Sequence, residues 1–270
     1  HAVQLVVEKS PAKPGEVVFA IDHLTVKDER GLRAVNDLSL QVRKGEIVGI
    51  AGIDGNGQKE LVEAITCLTK CESGTIQING QQVQNTTPRN VVDHKISTIH
   101  EDRQKRGLVL NFTVAENAIL EKYRTEPFRK HGMLNNSEIL AFTNGLLHDY
   151  DVRPEDCAQH LARSLSGGNQ QKLIVGREFY RNPKVVIIAH PTRGVDIGVS
   201  EIIHQSILKL REAGSAILLI TADFDELFKL SDRIGVIYEG HIVTEGKREE
   251  YTPNRLGLYM GGGTDEDKAV

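Results

Sequence analysis

A glycine-rich loop with the spacing of a phosphate-binding loop follows a compact apolar run at residues 47–51. The loop reads Gly52-Ile53-Asp54-Gly55-Asn56-Gly57-Gln58-Lys59-Glu60. In the motif G-x-x-x-x-G-K-[ST], backbone N–H groups cradle phosphates, the Lys reaches the β and γ oxygens, and the hydroxyl binds Mg²⁺. Here Gln58 stands in place of the Lys, and Lys59 in place of the hydroxyl. The pattern predicts a degenerate loop that attracts an anion only through its backbone and helix dipole.

The missing Lys predicts a large loss of nucleotide affinity at this loop. One or two charge-assisted hydrogen bonds of about 1.5–3 kcal/mol each are absent, which is roughly one to four powers of ten in affinity. Lys59 would compensate in part only if the loop shifted, and no metal ligand would then remain. Taken alone, the loop is equally consistent with a glycine turn that joins a strand to a helix. The motifs that follow favour the degenerate phosphate loop.

A second donor-rich segment reads Leu165-Ser166-Gly167-Gly168-Asn169-Gln170-Gln171-Lys172 and precedes a helical pattern that ends at Phe179. A small hydroxyl, two glycines and a helix N-terminus form a site that binds anions. Three residues in isolation would indicate only a helix cap. The full string, followed by Pro191-Thr192-Arg193-Gly194-Val195-Asp196, favours a functional site.

Together these strings resemble the signature motif and the D-loop of ATP-binding cassette (ABC) ATPases. The resemblance assigns Leu165, Ser166, Gly167, Gly168, Asn169 and Gln170 to the signature, and Gly194, Val195 and Asp196 to the D-loop. In that architecture two cassettes pair head to tail, and each signature closes over the γ-phosphate held by the other. The implied fold is an α/β P-loop NTPase of ABC type, with a mainly parallel core sheet, an antiparallel β subdomain and an inserted helical signature subdomain.

The same resemblance implies that the chain lacks the catalytic residues of its own site. In working ABC ATPases the strand at 185–188 ends in Asp-Glu, which organise Mg²⁺ and polarise water, whereas this chain has Ala189 and His190. Ala222 occupies the position of the γ-phosphate-sensing His. We interpret His190 as a polar residue without chemistry, although an imidazole base can contribute up to about 10²–10⁴-fold. No metal site is expected.

The resemblance is closest to the second cassette of tandem ATP-binding subunits of bacterial sugar and nucleoside importers. Glu101, Asp102 and Arg103 begin a segment similar to that family's Q-loop, which runs to Leu110 and precedes Thr113-Val114-Ala115-Glu116-Asn117. The loop at 55–58 and the string at 191–196 indicate the nucleoside-type branch. That branch often keeps Ser or Thr where Lys59 stands, so this site departs further from the working motif. The similarity covers roughly residues 17–260.

The family implies a C-terminal, degenerate cassette that lends its signature to the Mg·ATP site of the first cassette of the same full-length subunit. Nucleotide is expected to bind weakly or not at all at its own site. Asp196 would couple the two sites. Glu101 and the helical subdomain would contact a permease subunit at the cytoplasmic face of the bacterial membrane, where the chain is peripheral. A solute-binding protein would be an indirect partner, and no nucleic acid is expected.

Two other functions remain open at this point. The chain could be a scaffold for dimerisation and permease docking that never touches ATP, or an autonomous ATPase that uses His190 with Lys59. Cassettes of translation or DNA repair factors fit less well, because the Gln-rich signature and the Glu-Asp-Arg segment suit importers.

Composition is that of a globular protein, with 270 residues, 39% apolar and 26% charged residues. A net charge of -4 gives no global attraction to nucleic acid. No apolar run reaches the roughly 18 residues of a membrane span, and no signal peptide is evident. The three cysteines, Cys67, Cys71 and Cys157, indicate inert thiols in a reducing cytosol rather than disulfides or a metal site. Because the chain starts at His1, we expect an excised fragment.

The elements that must position these motifs follow from apolar periodicity. Antiparallel strands are predicted at 17–20, 24–26 and 38–42, a hairpin at 75–78 with a turn at Asn79-Gly80, and buried parallel strands at 96–99, 185–188, 216–220 and 234–238. The predicted domains are a linker or tag remnant at 1–16, a cassette at 17–250 with helical subdomain at about 113–163, and a partly disordered tail at 251–270.

Overall fold

The computed structural model describes residues 9–264, and these divide into two compact units. The first, here called the helical unit, contains residues 99–183 and 191–206. The second, here called the sheet unit, contains the described residues up to 98, 184–190 and from 207 onwards. The helical subdomain expected at 113–163 thus covers only part of the helical unit, which also includes residues 99–112, 164–183 and 191–206.

The strands are β1 (Val17–Lys27), β2 (Arg33–Arg43), β3 (Ile47–Ala51), β4 (Cys71–Ile78), β5 (Gln81–Gln82), β6 (Ile96–Ile99), β7 (Arg129–Lys130), β8 (Met133–Leu134), β9 (Val185–Ala189), β10 (Ala216–Ile220), β11 (Arg233–Tyr238) and β12 (His241–Lys247). The α-helices are α1 (Gln58–Ile65), α2 (Pro88–Asp93), α3 (Val114–Ala118), α4 (Asn136–Asp149), α5 (Gly167–Phe179), α6 (Ile197–Glu212), α7 (Phe224–Leu230) and α8 (Pro253–Met260). A π-helical turn covers Arg103–Gly107.

A six-stranded sheet with the order β12-β11-β3-β10-β9-β6 forms the core of the sheet unit. Strand β3 pairs in parallel with β10 and β11, and β10 pairs in parallel with β9. Every residue of β3, β9 and β10 is buried, as expected for parallel strands covered on both faces. The prediction of a mainly parallel core is confirmed. The antiparallel edge strand β12 was not predicted, because it alternates between exposed and half-buried residues.

A second, antiparallel sheet with the order β2-β1-β4-β5 carries the rest of the apolar core of this unit. Phe19, Leu24 and Ile76 are buried there without measurable exposure. The turn between β4 and β5 consists of Asn79 and Gly80, both with positive φ, which is the backbone that an Asn-Gly hairpin turn requires. The predicted antiparallel subdomain and hairpin are confirmed.

The helical unit is organised around α3, α4 and α5. Helix α3 begins with a capping box, in which Thr113 accepts from the Glu116 N–H and the Glu116 carboxylate accepts from the Thr113 N–H. Its buried face packs with α4 through an apolar cluster of Ala115, Ile119, Phe128 and Ile139. This packing supports α5, which carries the signature string at its start.

The end of the cassette differs from the predicted tail at 251–270. Residues 253–260 form α8, capped by Thr252 with Pro253 in its first turn, because Leu256, Tyr259 and Met260 recur at helical spacing and pack against Leu227 and Val236. Proline in the first turn and a Thr cap are ordinary helix starts. Residues 265–270 lie outside the described part of the chain.

Residues 9–16, the described part of the expected linker, are tied to the sheet unit by charged groups and backbone bonds, whereas residues 1–8 lie outside the described part of the chain. Arg211 is 2% exposed and donates to both Asp232 carboxylate oxygens and to the Ser10 carbonyl. Lys9 donates to the Ser231 carbonyl and pairs with Asp232 at 2.7 Å. Residues 9 and 10 are therefore bonded to the cassette, and the same holds for Gly15, whose N–H donates to Lys44.

Over residues 9–264, no helix combines the length and the apolar character that crossing a membrane requires.

The turn from β3 into α1 depends on glycines with left-handed backbone. Gly57 has a φ of 101° and caps α1, and a Cβ placed on it would lie 2.2 Å from the Ala34 carbonyl oxygen. Gly55 has a φ of +92° but no atom within 4 Å of its would-be Cβ. Gly57 is thus required by both conformation and space, whereas Gly55 is required by conformation alone.

We expect Gly57→Ala to lower the free energy of unfolding by about 2–5 kcal/mol. The left-handed backbone costs a side chain about 1–2 kcal/mol, and overpacking against fixed backbone adds about 1–3 kcal/mol. Gly55→Ala is the matched control and should lose only the first contribution. Chemical denaturation followed by circular dichroism measures both, and an equal loss in the two variants would contradict the assignment.

Candidate functional site

The three predicted elements of the chain's own nucleotide site meet at one edge of the six-stranded sheet. Ile220 of β10 is paired with Ile50 of β3 on one side and with Ala189 of β9 on the other. The glycine loop, the Ala189-His190 pair and the Thr221-Ala222 pair follow these residues directly. The carboxyl ends of adjacent parallel strands are where α/β sheets bind ligands, so the structure brings the predicted positions together.

The side chain of Gln58 folds back into the glycine loop instead of facing a ligand. Gln58 is 8% exposed. Its Oε1 accepts from the Asn56 N–H at 3.1 Å, and its Nε2 donates to the Ile53 carbonyl at 2.9 Å. One loop N–H that would otherwise face an anion is therefore bonded within the chain.

Asn56 fixes the same loop to the chain after β11. Its Nδ2 donates to the Ile53 carbonyl at 2.9 Å, and its Oδ1 accepts from the Glu239 N–H at 2.8 Å. The Gly240 N–H also donates to the Asn56 carbonyl at 3.2 Å. Glu239 and Gly240 have no local sequence signal that predicts this contact.

Lys59 does not replace the missing loop lysine. Its side chain is 59% exposed, and its Nζ lies 3.7 Å from an oxygen of Glu29, which is itself 94% exposed. A pair this exposed contributes little stability, and the ammonium is directed at Glu29 rather than at the loop interior. The compensation that the sequence left open would need a different conformation of this side chain.

At the end of β9, Ala189 is buried and His190 has a φ of 47°. The His190 N–H donates to the Ile220 carbonyl at 2.9 Å. Burial lowers the pKa of His190 below its ordinary value, while the negative charges of Asp54 and Glu226 oppose the shift. The imidazole is therefore neutral at pH 7, and the charged groups that act on it are acidic.

The residues that follow β10, Thr221, Ala222 and Asp223, carry no positive charge. Within the described range 9–264, no three His, Cys, Asp or Glu side chains converge as metal ligands. Ala222 is exposed, and the Asp223 carboxylate that follows it accepts the N–H groups of Asp225 and Glu226 at 2.9 and 3.2 Å, as the cap of α7. The side chains of Ala222 and Asp223 therefore offer a polyphosphate anion no positive charge at this edge.

The signature string starts α5 with unused donors. Ser166 caps the helix, and its Oγ accepts from the Asn169 N–H at 3.4 Å and from Asn169 Nδ2 at 3.0 Å. In residues 9–264 the N–H groups of Gly167 and Gly168 have no acceptor, as expected for the first residues of a helix. Ser166 is exposed and the two glycines are partly exposed. This end of the helix can receive an anion.

The glutamines of the string hold α5 in place rather than face solvent. Gln170 is 3% exposed and donates to the Ala162 and Leu165 carbonyls, both at 3.2 Å. Gln171 is also 3% exposed and donates to the Pro191 carbonyl at 2.8 Å. The Gln-rich string thus links the signature to the segment that contains the D-loop.

The D-loop lies against the signature within the helical unit. Asp196 Oδ1 accepts from the Val199 N–H at 2.9 Å in the first turn of α6. A Cβ on Gly168 would lie 3.1 Å from Val199 and 3.8 Å from the other Asp196 carboxylate oxygen. Gly194 has positive φ, and the Val195 N–H donates to the Thr192 carbonyl.

The predicted Q-loop residues also reach the D-loop. Arg103 Nη1 donates to the Arg193 carbonyl at 2.9 Å, and the Arg193 side chain pairs with Glu101. Asp102 caps the π-helical turn that follows, through the Gln104 and Lys105 N–H groups. Sequence reasoning found Glu101, Asp102 and Arg103 but missed Arg193 as their partner, since the contact spans about ninety residues.

Comparison with known proteins shows which family the chain resembles. The family model described as ABC transporter matches residues 35–193. The guanosine import ATP-binding protein NupO of Bacillus subtilis is 50% identical over 260 residues, which are 96% of this chain and 51% of that protein. The nucleoside import ATP-binding protein NupA of Lactococcus lactis subsp. cremoris is 45% identical, over 97% of this chain and 52% of that protein.

The chain spans about half the length of these curated relatives. Among solved structures, a nucleotide-free ATP-binding cassette from an ABC transporter superposes with a TM-score of 0.74, covering 90% of this chain and 96% of that one at 23% identity. That likeness concerns the fold alone, and it confirms the predicted fold class. The chain belongs to the ABC transporter family and has the fold of an ABC ATPase cassette.

Proposed function

We propose that this chain is the degenerate, C-terminal cassette of the ATP-binding subunit of a bacterial nucleoside or sugar importer. It supplies its signature to the Mg·ATP site of the first cassette and thereby couples hydrolysis to uptake. The names of NupO and NupA, a guanosine and a nucleoside import protein, support the nucleoside class first. Other relatives are ribose import proteins at 36–37% identity, which keeps sugars as the second class.

The contrast between the two loops is the observation that carries the proposal. At the chain's own site, the Gln58 carboxamide fills the loop and Ala189 and Ala222 offer no chemistry. At the signature, the N–H groups of Gly167 and Gly168 are unused. A chain that lacks the loop lysine and the carboxylates of its own site, but keeps the glycine donors of its signature, is suited to completing another site.

The proposed partners follow from this role. The first cassette of the same subunit would hold the nucleotide, and Asp196, next to the signature, would couple the two sites. Glu101 and the helical unit would contact a permease subunit, with a solute-binding protein as an indirect partner. The chain would work at the cytoplasmic face of the membrane as a peripheral component.

Titration of this chain with Mg·ATP should show no binding, or binding weaker by roughly one to four powers of ten than that of a cassette with the loop lysine. Isothermal calorimetry measures it directly. The double variant Gln58→Lys, Lys59→Ser restores the motif and should gain affinity, whereas Lys59→Ser alone should not. Tight binding by the unmodified chain would contradict the proposal.

In the assembled transporter, Gly167→Asp should abolish ATP turnover and uptake, because a carboxylate beside the unused N–H groups repels the γ-phosphate of the neighbouring site. Gly145→Asp adds the same charge in the same unit, at a partly exposed position with open space around its Cβ, and should keep most of the activity. A pure scaffold would tolerate both substitutions, and that result would refute the proposed contact between the signature and the γ-phosphate.

The isolated chain should release phosphate from ATP no faster than a buffer blank, and His190→Ala should not change this rate. The neutral imidazole has neither a loop lysine nor a metal ligand set to act with. Steady release that falls to background in the His190→Ala variant would establish an autonomous ATPase instead. A coupled phosphate assay distinguishes the two.

A further inference from the structure

Arg103 lies where three backbone segments of the helical unit meet. Its Nη1 donates to the Arg193 carbonyl at 2.9 Å. A Cβ on Gly167 would lie 2.6 Å from its Nη2, and a Cβ on Gly194 would lie 3.7 Å from the same atom. The guanidinium therefore rests on the backbone of the signature and of the D-loop at once.

Arg103 is held by these loops and not by an acid. Within residues 9–264 no carboxylate pairs with it, because Glu101 pairs with the Arg193 side chain instead. Its Nε is buried without a hydrogen-bond partner. Burying a donor without a partner is unfavourable. The hydrogen bonds of Arg103 alone therefore do not explain why its side chain lies here.

The turn that carries Arg103 is itself rigidly fixed. The Asp102 carboxylate accepts from the N–H groups of Gln104 and Lys105 at 3.1 and 3.0 Å. At its other end, a Cβ on Gly107 would lie 2.6 Å from Ile174 of α5, so the turn packs directly on the helix that starts with the signature. The backbone that carries the Arg103 side chain is therefore fixed by the Asp102 cap and by packing on α5.

We propose that Arg103 is a positioning residue that locks the signature to the D-loop, so that both surfaces approach the neighbouring ATP site as one body. This inference rests on the proposed function, because it concerns the surfaces that this cassette lends. Arginine suits the task, since its planar fork donates in several directions and packs flat against backbone. Lysine offers a point charge without that shape.

The test replaces Arg103 in the full-length subunit of the assembled transporter. Arg103→Gln and Arg103→Lys should both lower kcat for ATP about tenfold or more, since a misplacement of about 1 Å costs up to about 10²-fold. KM and nucleotide binding at the first cassette should stay within about twofold, because that site's own phosphate loop is untouched. Lys70→Gln removes a charge at an exposed position of the sheet unit, outside the Q-loop segment, the signature and the D-loop, and should behave as wild type.

A double-mutant cycle separates positioning from other roles. Gly167→Ala puts a methyl group 2.6 Å from Nη2 and displaces the guanidinium, so it should lower kcat in the wild type but add little in the Arg103→Gln background. Losses that multiply would overturn the proposal, and so would full activity in the Lys variant, which would indicate a charge acting directly on phosphate. Unchanged thermal midpoints of the Arg103 variants are expected, and a large drop would mean that Arg103 only stabilises the fold.

The failure of this inference is distinguishable from that of the proposed function. If Gly167→Asp leaves turnover intact, the signature does not contact the γ-phosphate, and both the proposed function and the positioning role of Arg103 are refuted. If Gly167→Asp abolishes turnover while the Arg103 variants keep kcat, only the positioning role falls.

Discussion

The hydrogen bonds of the Gln58 carboxamide are the constraint on which the character of this cassette depends. A buried amide must satisfy both its donor and its acceptor, and Gln58 does so on the Asn56 N–H and the Ile53 carbonyl. A lysine at this position has donors only and so cannot accept the Asn56 N–H. The amide instead bonds the loop to itself through both of its polar atoms.

The opposite arrangement holds at the start of α5. There the side chains that could fill the loop are absent, since Gly167 and Gly168 have none and Ser166 is engaged with Asn169. The polar side chains of the string, Gln170 and Gln171, are directed at carbonyls behind the loop. The helix N-terminus is consequently left with unused N–H groups at the surface. The two loops differ in where their amide side chains donate, within the loop for Gln58 and behind it for Gln170 and Gln171.

Sequence reasoning predicted the elements whose signals are local. The apolar runs of β3, β9 and β10, the Asn79-Gly80 turn and the glycine spacing of the loop each depend on neighbours in the chain. It missed α8, because Gly261–Gly263 and the acidic end beyond them hid the apolar spacing of Leu256, Tyr259 and Met260. It also missed the partners of Arg103 and Asn56, since those contacts join residues far apart in sequence and leave no periodic trace.

Ala189, His190 and Ala222 are compatible with the intact fold of the sheet edge because backbone contacts shape that edge. His190 keeps a positive φ and its N–H bonds to Ile220, so β9 retains its last pairing with β10 whichever side chain follows it. The Ala34 carbonyl leaves no room for a Cβ on Gly57, and α7 is capped by Asp223. Side chains that follow the strands at this edge can be exchanged at little cost in stability. The glycine that starts α1 and the Asp that caps α7 cannot. The signature depends on a separate set of contacts inside the helical unit, so the function that we propose for it does not require catalytic side chains at the sheet edge.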